Sequence, residues 1–215
     1  MKLSEHITDH GITSLWNITH LDNLESVLKH GILSRNAALK LPHFKDISDA
    51  NAQSRRTPIH NPVTGIDLDP HEYVPLFFAD NTPMLYVVSH DRKVLLLEIS
   101  PEVADSEGVH FSNENVASQC VQVFKEPTDL DKLDWAVIKS LKPAFSRAWK
   151  LARSAEVLIP KQCPPSFIKA IHVQRSNDTG IKTVDAVGSI LAKSLINSGI
   201  VVNEDLTSEG VMINA

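Results

Sequence analysis

Arg153-Ser154-Ala155-Glu156-Val157-Leu158-Ile159-Pro160 is the stretch around which the chain is read. A run rich in Arg, Lys and Trp with helical character ends at Arg153, and an apolar run then opens on a carboxylate. Val157, Leu158 and Ile159, β-branched or aliphatic and closed by proline, have the pattern of a short buried strand. Glu156 is therefore expected where a buried sheet meets the surface, with a fixed backbone and its carboxylate towards a cleft. That placement suits a catalytic group. It also suits an ordinary strand-edge glutamate, which is the commoner case when nothing else is known. The partners that the rest of the chain supplies decide between the two.

The chain has 215 residues, enough for one large domain with a sizeable core. Hydrophobic residues make up 42% and charged residues 22%, an ordinary balance for a globular protein. With a formal charge of −5 and a pI near 6.0, no global attraction to nucleic acid is expected, so any such site must be a local basic patch. No apolar run reaches the roughly 18 residues of a membrane span. Residues 1–14 are polar, lack the apolar centre of a signal peptide and are expected to be loose. Cys120 and Cys163 lie far apart and read as reduced thiols of a cytoplasmic protein. Among the ten histidines only His6 and His10 stand at i, i+4 spacing, and no metal site is expected.

Leu15-Trp16-Asn17-Ile18 reads as a strand, Thr19 as a helix cap, and Leu21, Leu24, Val27 and Leu28 as the buried face of a helix stopped by Gly31. From Ser34 to Pro70, prolines and Gly65 break every long pattern, and a loop of that length is often a lid or binding loop. It carries Arg55-Arg56. His71 to Phe78 is an aromatic-rich strand, Thr82-Pro83 a capped helix start, and Lys93 to Ser100 the strongest strand. Gly108–Phe111 and Val121–Phe124 are shorter strands around polar Ser112-Asn113-Glu114-Asn115. Thr128 is a plausible cap for a helix containing Trp135, and a second helix holds Phe145, Trp149 and Leu151. A further strand is expected at Ile168–Val173 and a C-terminal helix from Thr183 to Asn197, within a C-terminal helix and tail at 183–215. Clustered short strands with helices between the clusters indicate an α+β domain.

Three segments in this order resemble the DarT-type DNA ADP-ribosyltransferases, toxins of bacterial toxin–antitoxin systems. Trp16-Asn17-Ile18-Thr19-His20-Leu21-Asp22-Asn23-Leu24 is similar to the family's opening. His71-Glu72-Tyr73-Val74-Pro75-Leu76-Phe77-Phe78 with Pro83-Met84-Leu85-Tyr86 is similar to its second motif. Leu133-Asp134-Trp135 with Ala155-Glu156-Val157-Leu158 is similar to its third. The resemblance spans roughly Leu15 to Val173. It implies an ADP-ribosyltransferase-like fold, with NAD as substrate in a cleft between two small central β-sheets flanked by helices. It also implies Glu156 and Arg56 as catalytic residues, with Arg55 the alternative to Arg56. Asn17, Thr19, Arg55, His71, Phe77 and Met84 are implied contacts of NAD. Asn17, Phe77 and the run Ser112–Asn115 depart from the family pattern, and the last two leave open whether thymine or guanine is modified.

Cleaving the nicotinamide–ribose bond leaves a cation-like ribose that a carboxylate stabilises, and the same group can take a proton from a base nitrogen. Arginine offers a planar fork to phosphate or a base carbonyl, and Tyr73, Phe77 and Phe78 can wall off water. A base must be out of the duplex to react, so single-stranded DNA is the expected partner. Arg147, Trp149, Lys150 and Arg153 are candidates to hold it, although an ordinary solvated helix face over a buried Trp149 is the commoner meaning of such a run. The bland readings of Arg55-Arg56 as a solvated pair, and of Phe77, Phe78 and Met84 as core, stand beside the functional ones. A monomer opposed by a cognate antitoxin is expected. RNA or protein acceptors, or an idle NAD-binding module, are the alternatives.

Overall fold

Val157 and Ile159 leave their strand on one side and Glu156 and Leu158 on the other, and this alternation sorts the whole sheet. The computed structural model describes residues 1–91, 93–140, 146–174, 187, 190 and 201–206. Within them, the chain runs α1 (Leu3–Asp9), β1 (Leu15–His20), α2 (Leu24–His30), β2 (Ile32–Leu33), α3 (Arg35–Ala38) and α4 (Ala50–Arg55). A hairpin follows, β3 (Ile59–Asn61) and β4 (Ile66–Leu68), then β5 (Tyr73–Phe77), α5 (Pro83–Val88), β6 (Val94–Ile99), β7 (His110–Ser112) and β8 (Val123–Phe124). The last part holds α6 (Trp135–Ile138), α7 (Arg147–Ala152), β9 (Glu156–Pro160), β10 (Gln162–Cys163), β11 (Ile168–Gln174) and β12 (Val201–Leu206).

Eight strands form one sheet in the order β12-β11-β6-β1-β5-β9-β7-β8, antiparallel except for the β11–β12 pair. The two halves are joined thinly. β1 pairs with β6 along its whole length, but meets β5 only at Trp16 opposite Phe77. Beyond that pair β1 and β5 diverge, and the Asn17 amide spans the gap to the Pro75 carbonyl at 3.1 Å. The two small sheets expected from the resemblance are thus two four-stranded halves of one sheet, parted by a wedge.

One face of both halves carries the main core, with Leu15, Val74, Leu76, Leu95, Leu97, Val157, Ile159 and Ile171. The opposite face has two separate apolar clusters. Ile18, Phe77, Leu85 and Leu96 belong to one, and Ile66, Leu68, Val116 and Leu158 to the other.

Several local expectations change. Residues 1–14 are not loose: α1 buries Leu3 and Ile7, and Ser4 makes two bonds to Asp105 at 2.9 and 2.7 Å. Thr19 stays in β1, and the His20 ring accepts the Asp22 N–H in its stead. Thr82 caps α5 through the Leu85 N–H as its sequence suggests. Thr128 lies inside a 3-10 turn, so the expected helix shrinks to α6. The long 34–70 segment contains two short helices and a hairpin whose turn is closed by Asn61 accepting from Val63 and Thr64. Gly31 is required where it stands, because a Cβ there would lie 2.2 Å from the Cys163 carbonyl oxygen. The C-terminal helix at Thr183–Asn197 lies outside the described residues except for Val187 and Ile190, which are helical and pack on the main core. The tail contributes β12, parallel to β11. No helix among the described residues is long and apolar enough to cross a membrane.

Candidate active site

Glu156 is the first residue of β9 and lies directly opposite Phe77, which lies opposite Trp16. Directly opposed residues of antiparallel strands share a face, so the carboxylate stands beside the junction of the two half-sheets. Its backbone is tied down by the Glu156 N–H donating to Ser112 Oγ at 3.3 Å, while that hydroxyl donates to the Glu114 carbonyl at 2.7 Å. The side chain is 0% exposed.

Arg56 is brought to it from 100 residues away in the chain. Asp49 caps α4 by accepting the Ala52 N–H at 2.7 Å, and the His71 ring meets Gln53 Oε1 at 3.2 Å, anchoring the helix to the segment before β5. Successive side chains leave a helix about 100° apart, so at its end Arg55 and Arg56 diverge. Arg55 is exposed; Arg56 is 8% exposed, and its Nη2 donates to Glu156 Oε1 at 2.5 Å. Asn115 Nδ2 donates to the same oxygen at 3.0 Å. Among the described residues Glu156 Oε2 is buried with no partner in hydrogen-bonding geometry. Burial pushes the carboxyl pKa up, and the Arg56 guanidinium and the nearby Val116 amide pull against it. A desolvated carboxylate with one anchored and one free oxygen can meet a developing cation or take a proton.

The other expected site residues divide into two groups. Asn17 and Thr19 are buried opposite Leu97 and Leu95 of β6, so they leave β1 on the main-core face, away from Glu156; Thr19 Oγ1 lies 3.4 Å from Asn23 Nδ2, whose side chain also bonds the backbone of Lys45 at both ends. Phe77 packs with Ile18, Leu85 and Leu96, and Met84 lies against that cluster, on the same side of the sheet as Glu156. Phe78 belongs to the main core instead.

Two of the residues expected to hold DNA are used internally. Arg153 is 3% exposed; its guanidinium donates to the carbonyls of Asn81 (3.0 Å), Ser140 (3.1 Å) and Ile138, and reaches Asp80 at 3.4 Å. Trp149 is buried beneath it with Nε1 3.3 Å from Ser140 Oγ. Neither presents a surface to a strand of DNA, whereas Arg147 and Lys150 are exposed. Asn115 and Ser112 touch Glu156, a contact that the sequence does not show. There they belong to the polar run Ser112–Asn115, which departs from the family pattern and bears on the choice of base, and nothing in that run points to residue 156. Among the described residues, no group of three or more His, Cys, Asp or Glu side chains is placed to hold a metal.

The family model described as ssDNA thymidine ADP-ribosyltransferase, DarT, matches residues 16–205. A DNA ADP-ribosyl transferase of Thermus aquaticus is 30% identical over 192 residues, covering 84% of this chain and 82% of that protein. The fold is like that of Thermus sp. 2.9 DarT. In complex with ADP-ribosylated ssDNA that protein gives a TM-score of 0.76 at 24% identity over 91% of this chain and 95% of the other. In complex with NAD+ it gives 0.70 at 22% identity over 90% and 96%. Thermosipho africanus DarTG in complex with ADP-ribose has a TM-score of 0.71 at 21% identity, and the match spans 90% of this chain and 50% of that one. With most of its length matched by the family model, the chain belongs to the DarT family of DNA ADP-ribosyltransferases.

Proposed function

We propose that the chain transfers ADP-ribose from NAD to a base of single-stranded DNA, with Glu156 as the catalytic carboxylate and Arg56 as its cationic partner. The observation that carries this reading is the unpartnered, fully buried Glu156 Oε2 in a chain of this family. NAD supplies the ADP-ribosyl group, with nicotinamide leaving. The unpartnered oxygen fits a cationic reacting centre, because an anion without donors on that side has its attraction in reserve for charge that develops there. Glu156 also holds the lone pair that receives the proton of the acceptor base nitrogen. The lifted pKa makes it a stronger base than an exposed glutamate.

Arg56 draws the buried carboxylate towards its ionised form and offers its remaining N–H groups to phosphate or to a base carbonyl. Asn17 and Thr19, from the main-core face of β1, together with His71, Phe77 and Met84 are assigned to the NAD side. Thymine is the favoured base, following the description of the family model. A toxin's role opposed by a cognate antitoxin, exercised in the cytoplasm, completes the proposal and is supported by the family and by the likeness to DarTG.

The test is mass spectrometry of short single-stranded oligonucleotides of varied base content after incubation with NAD. One added ADP-ribosyl group on thymine-containing strands, with stoichiometric nicotinamide, is expected from the wild type, and none from Glu156→Gln. Transfer only to RNA or protein would overturn the acceptor, and undiminished transfer by Glu156→Gln would overturn the mechanism. In cells, expression of the wild type should arrest growth and Glu156→Gln should not.

A further inference from the structure

Asn115 is bound at both ends of its amide. Its Oδ1 accepts the Ala117 N–H at 2.8 Å, and its Nδ2 donates to Glu156 Oε1 at 3.0 Å. The first bond fixes the sense of the second: an amide nitrogen cannot accept from the Ala117 N–H, so the end facing Glu156 is the donor. The residue sits in a tight turn, with the Ser118 N–H on its own carbonyl at 2.8 Å. The same loop grips the Glu156 backbone through Ser112 Oγ. Loop and strand are one unit.

Arg56 approaches Oε1 from the end of α4 and Asn115 from the loop after β7, two segments with no other shared duty. A single long arginine can follow a carboxylate as it turns. A second donor on a short side chain, held by its own backbone bond, cannot. Both meet one oxygen, so rotating the carboxylate would break both bonds, and the other oxygen stays unpartnered.

We infer that Asn115 is a positioning residue for the transfer reaction: with Arg56 it pins Oε1 of Glu156 and so dedicates Oε2 to the reacting centre. This rests on the assignment of Glu156 as the catalytic carboxylate. Two effects follow. Geometrically, Oε2 keeps one direction. Electrostatically, a donor to Oε1 favours the ionised form of a group whose burial opposes ionisation.

The experiment measures kcat against pH, with KM for NAD, for wild type, Asn115→Ala and Asn115→Asp. Asn115→Asp keeps the acceptor for the Ala117 N–H and the size of the side chain, so it preserves the loop while removing the donor. In Asn115→Ala, kcat is expected to fall about tenfold with KM for NAD within about twofold, and the acidic limb to move up by about one pH unit. In Asn115→Asp the limb should move further, because a second carboxylate opposes ionisation of the first. A fall in kcat with the limb unmoved in both variants would make Asn115 merely structural, and unchanged kcat would remove it from the reaction; either overturns the inference. Glu156→Gln serves as the separate control. If it transfers normally, the reading of Glu156 itself fails; if it is dead while the Asn115 variants titrate like wild type, only the inference about Asn115 fails.

Discussion

Glu98 and Glu156 occupy one face of one sheet, in a single row of opposed residues: Glu98 faces Trp16, Trp16 faces Phe77, and Phe77 faces Glu156. Their surroundings are opposite. Glu98 Oε1 takes Ser14 Oγ at 2.6 Å and Lys169 Nζ at 2.9 Å, and Oε2 meets His172 Nε2 at 3.1 Å. Led by His172, these partners hold its pKa down at about 2. Glu156 has both of its side-chain donors on one oxygen, no partner in hydrogen-bonding geometry on the other among the described residues, the Val116 amide nearby, and a pKa raised by burial. A carboxylate satisfied on every side is stabilised in the ground state and has nothing further to offer a reacting centre. One left unsatisfied costs stability and keeps that interaction for the transition state. On the proposed assignment, residue type and strand position do not separate the structural anion from the chemical one, whereas the donors on each oxygen do.

The sharpest way to break this contrast is to remove the one cation that Glu156 has. Arg56→Ala should lower transfer by roughly a hundredfold or more, since the carboxylate then loses its charged donor in a dry site. Arg55→Ala, one residue away and exposed, should stay within about twofold. Equal losses in oligonucleotide labelling assays would mean that the pair acts through charge near the cleft and not through the contact with Oε1. The contrast extends to the arginines. Arg153, like Glu98, is satisfied on all sides, so Arg153→Met should cost stability of about 3 kcal/mol, read from the urea midpoint. Its transfer rate per folded molecule should be close to wild type. A stable but inactive Arg153→Met would place that guanidinium in the chemistry after all.

Glu98 makes a prediction of opposite character. Its folded pKa lies below the ordinary 4.5, so its ionised form stabilises the fold above that range, and the contribution drains away as pH falls towards about 2. Wild-type Tm should therefore drop between pH 5 and 3. Glu98→Gln, less stable at pH 7 by a few degrees, should drop less steeply over the same window while transferring normally at pH 7. Parallel Tm curves would show that His172, Ser14 and Lys169 do not hold Glu98 as an anion.

The sequence carried the strands well where the apolar pattern was unbroken, as at Val94–Ile99 and Val157–Ile159, because burial on both faces demands continuous aliphatic runs. It also pointed to Glu156 and the arginine pair, one of which the structure brings into contact with Glu156, though only through the order of the family-like motifs. What it did not carry depends on contacts between distant segments. The choice of Arg56 over Arg55 for contact with Glu156 is made by where α4 ends, and α4 is held by Gln53 meeting His71. Arg153 looks like a DNA ligand by composition, but it is buried because three backbone carbonyls and Asp80 converge on it. The contact of Asn115 with Glu156 is hidden for the same reason, since the two lie 41 residues apart. The first residues were misread because two apolar side chains, Leu3 and Ile7, suffice to dock a helix of two turns.

Arg147 and Lys150 offer the smallest effect, and the one that tests what remains of the basic surface. Both are exposed on α7, and the segment that follows α7 leads directly into Glu156. If they attract the phosphates of a single strand, Arg147→Glu with Lys150→Glu should weaken oligonucleotide binding several-fold at low salt. Removing two phosphate contacts should also flatten the slope of log affinity against log salt by about 1.4, at about 0.7 per contact on single strands. Saturating kcat should not change, because neither side chain touches Glu156. Affinity that falls without any change in slope would mean that the substitutions disturbed α7 rather than an ionic contact. No fall at all would return both residues to the solvated helix face that base composition alone suggests. The same logic as for the glutamates then applies at the surface: a charge in water is already satisfied, and it becomes functional only where a ligand replaces that water with something better.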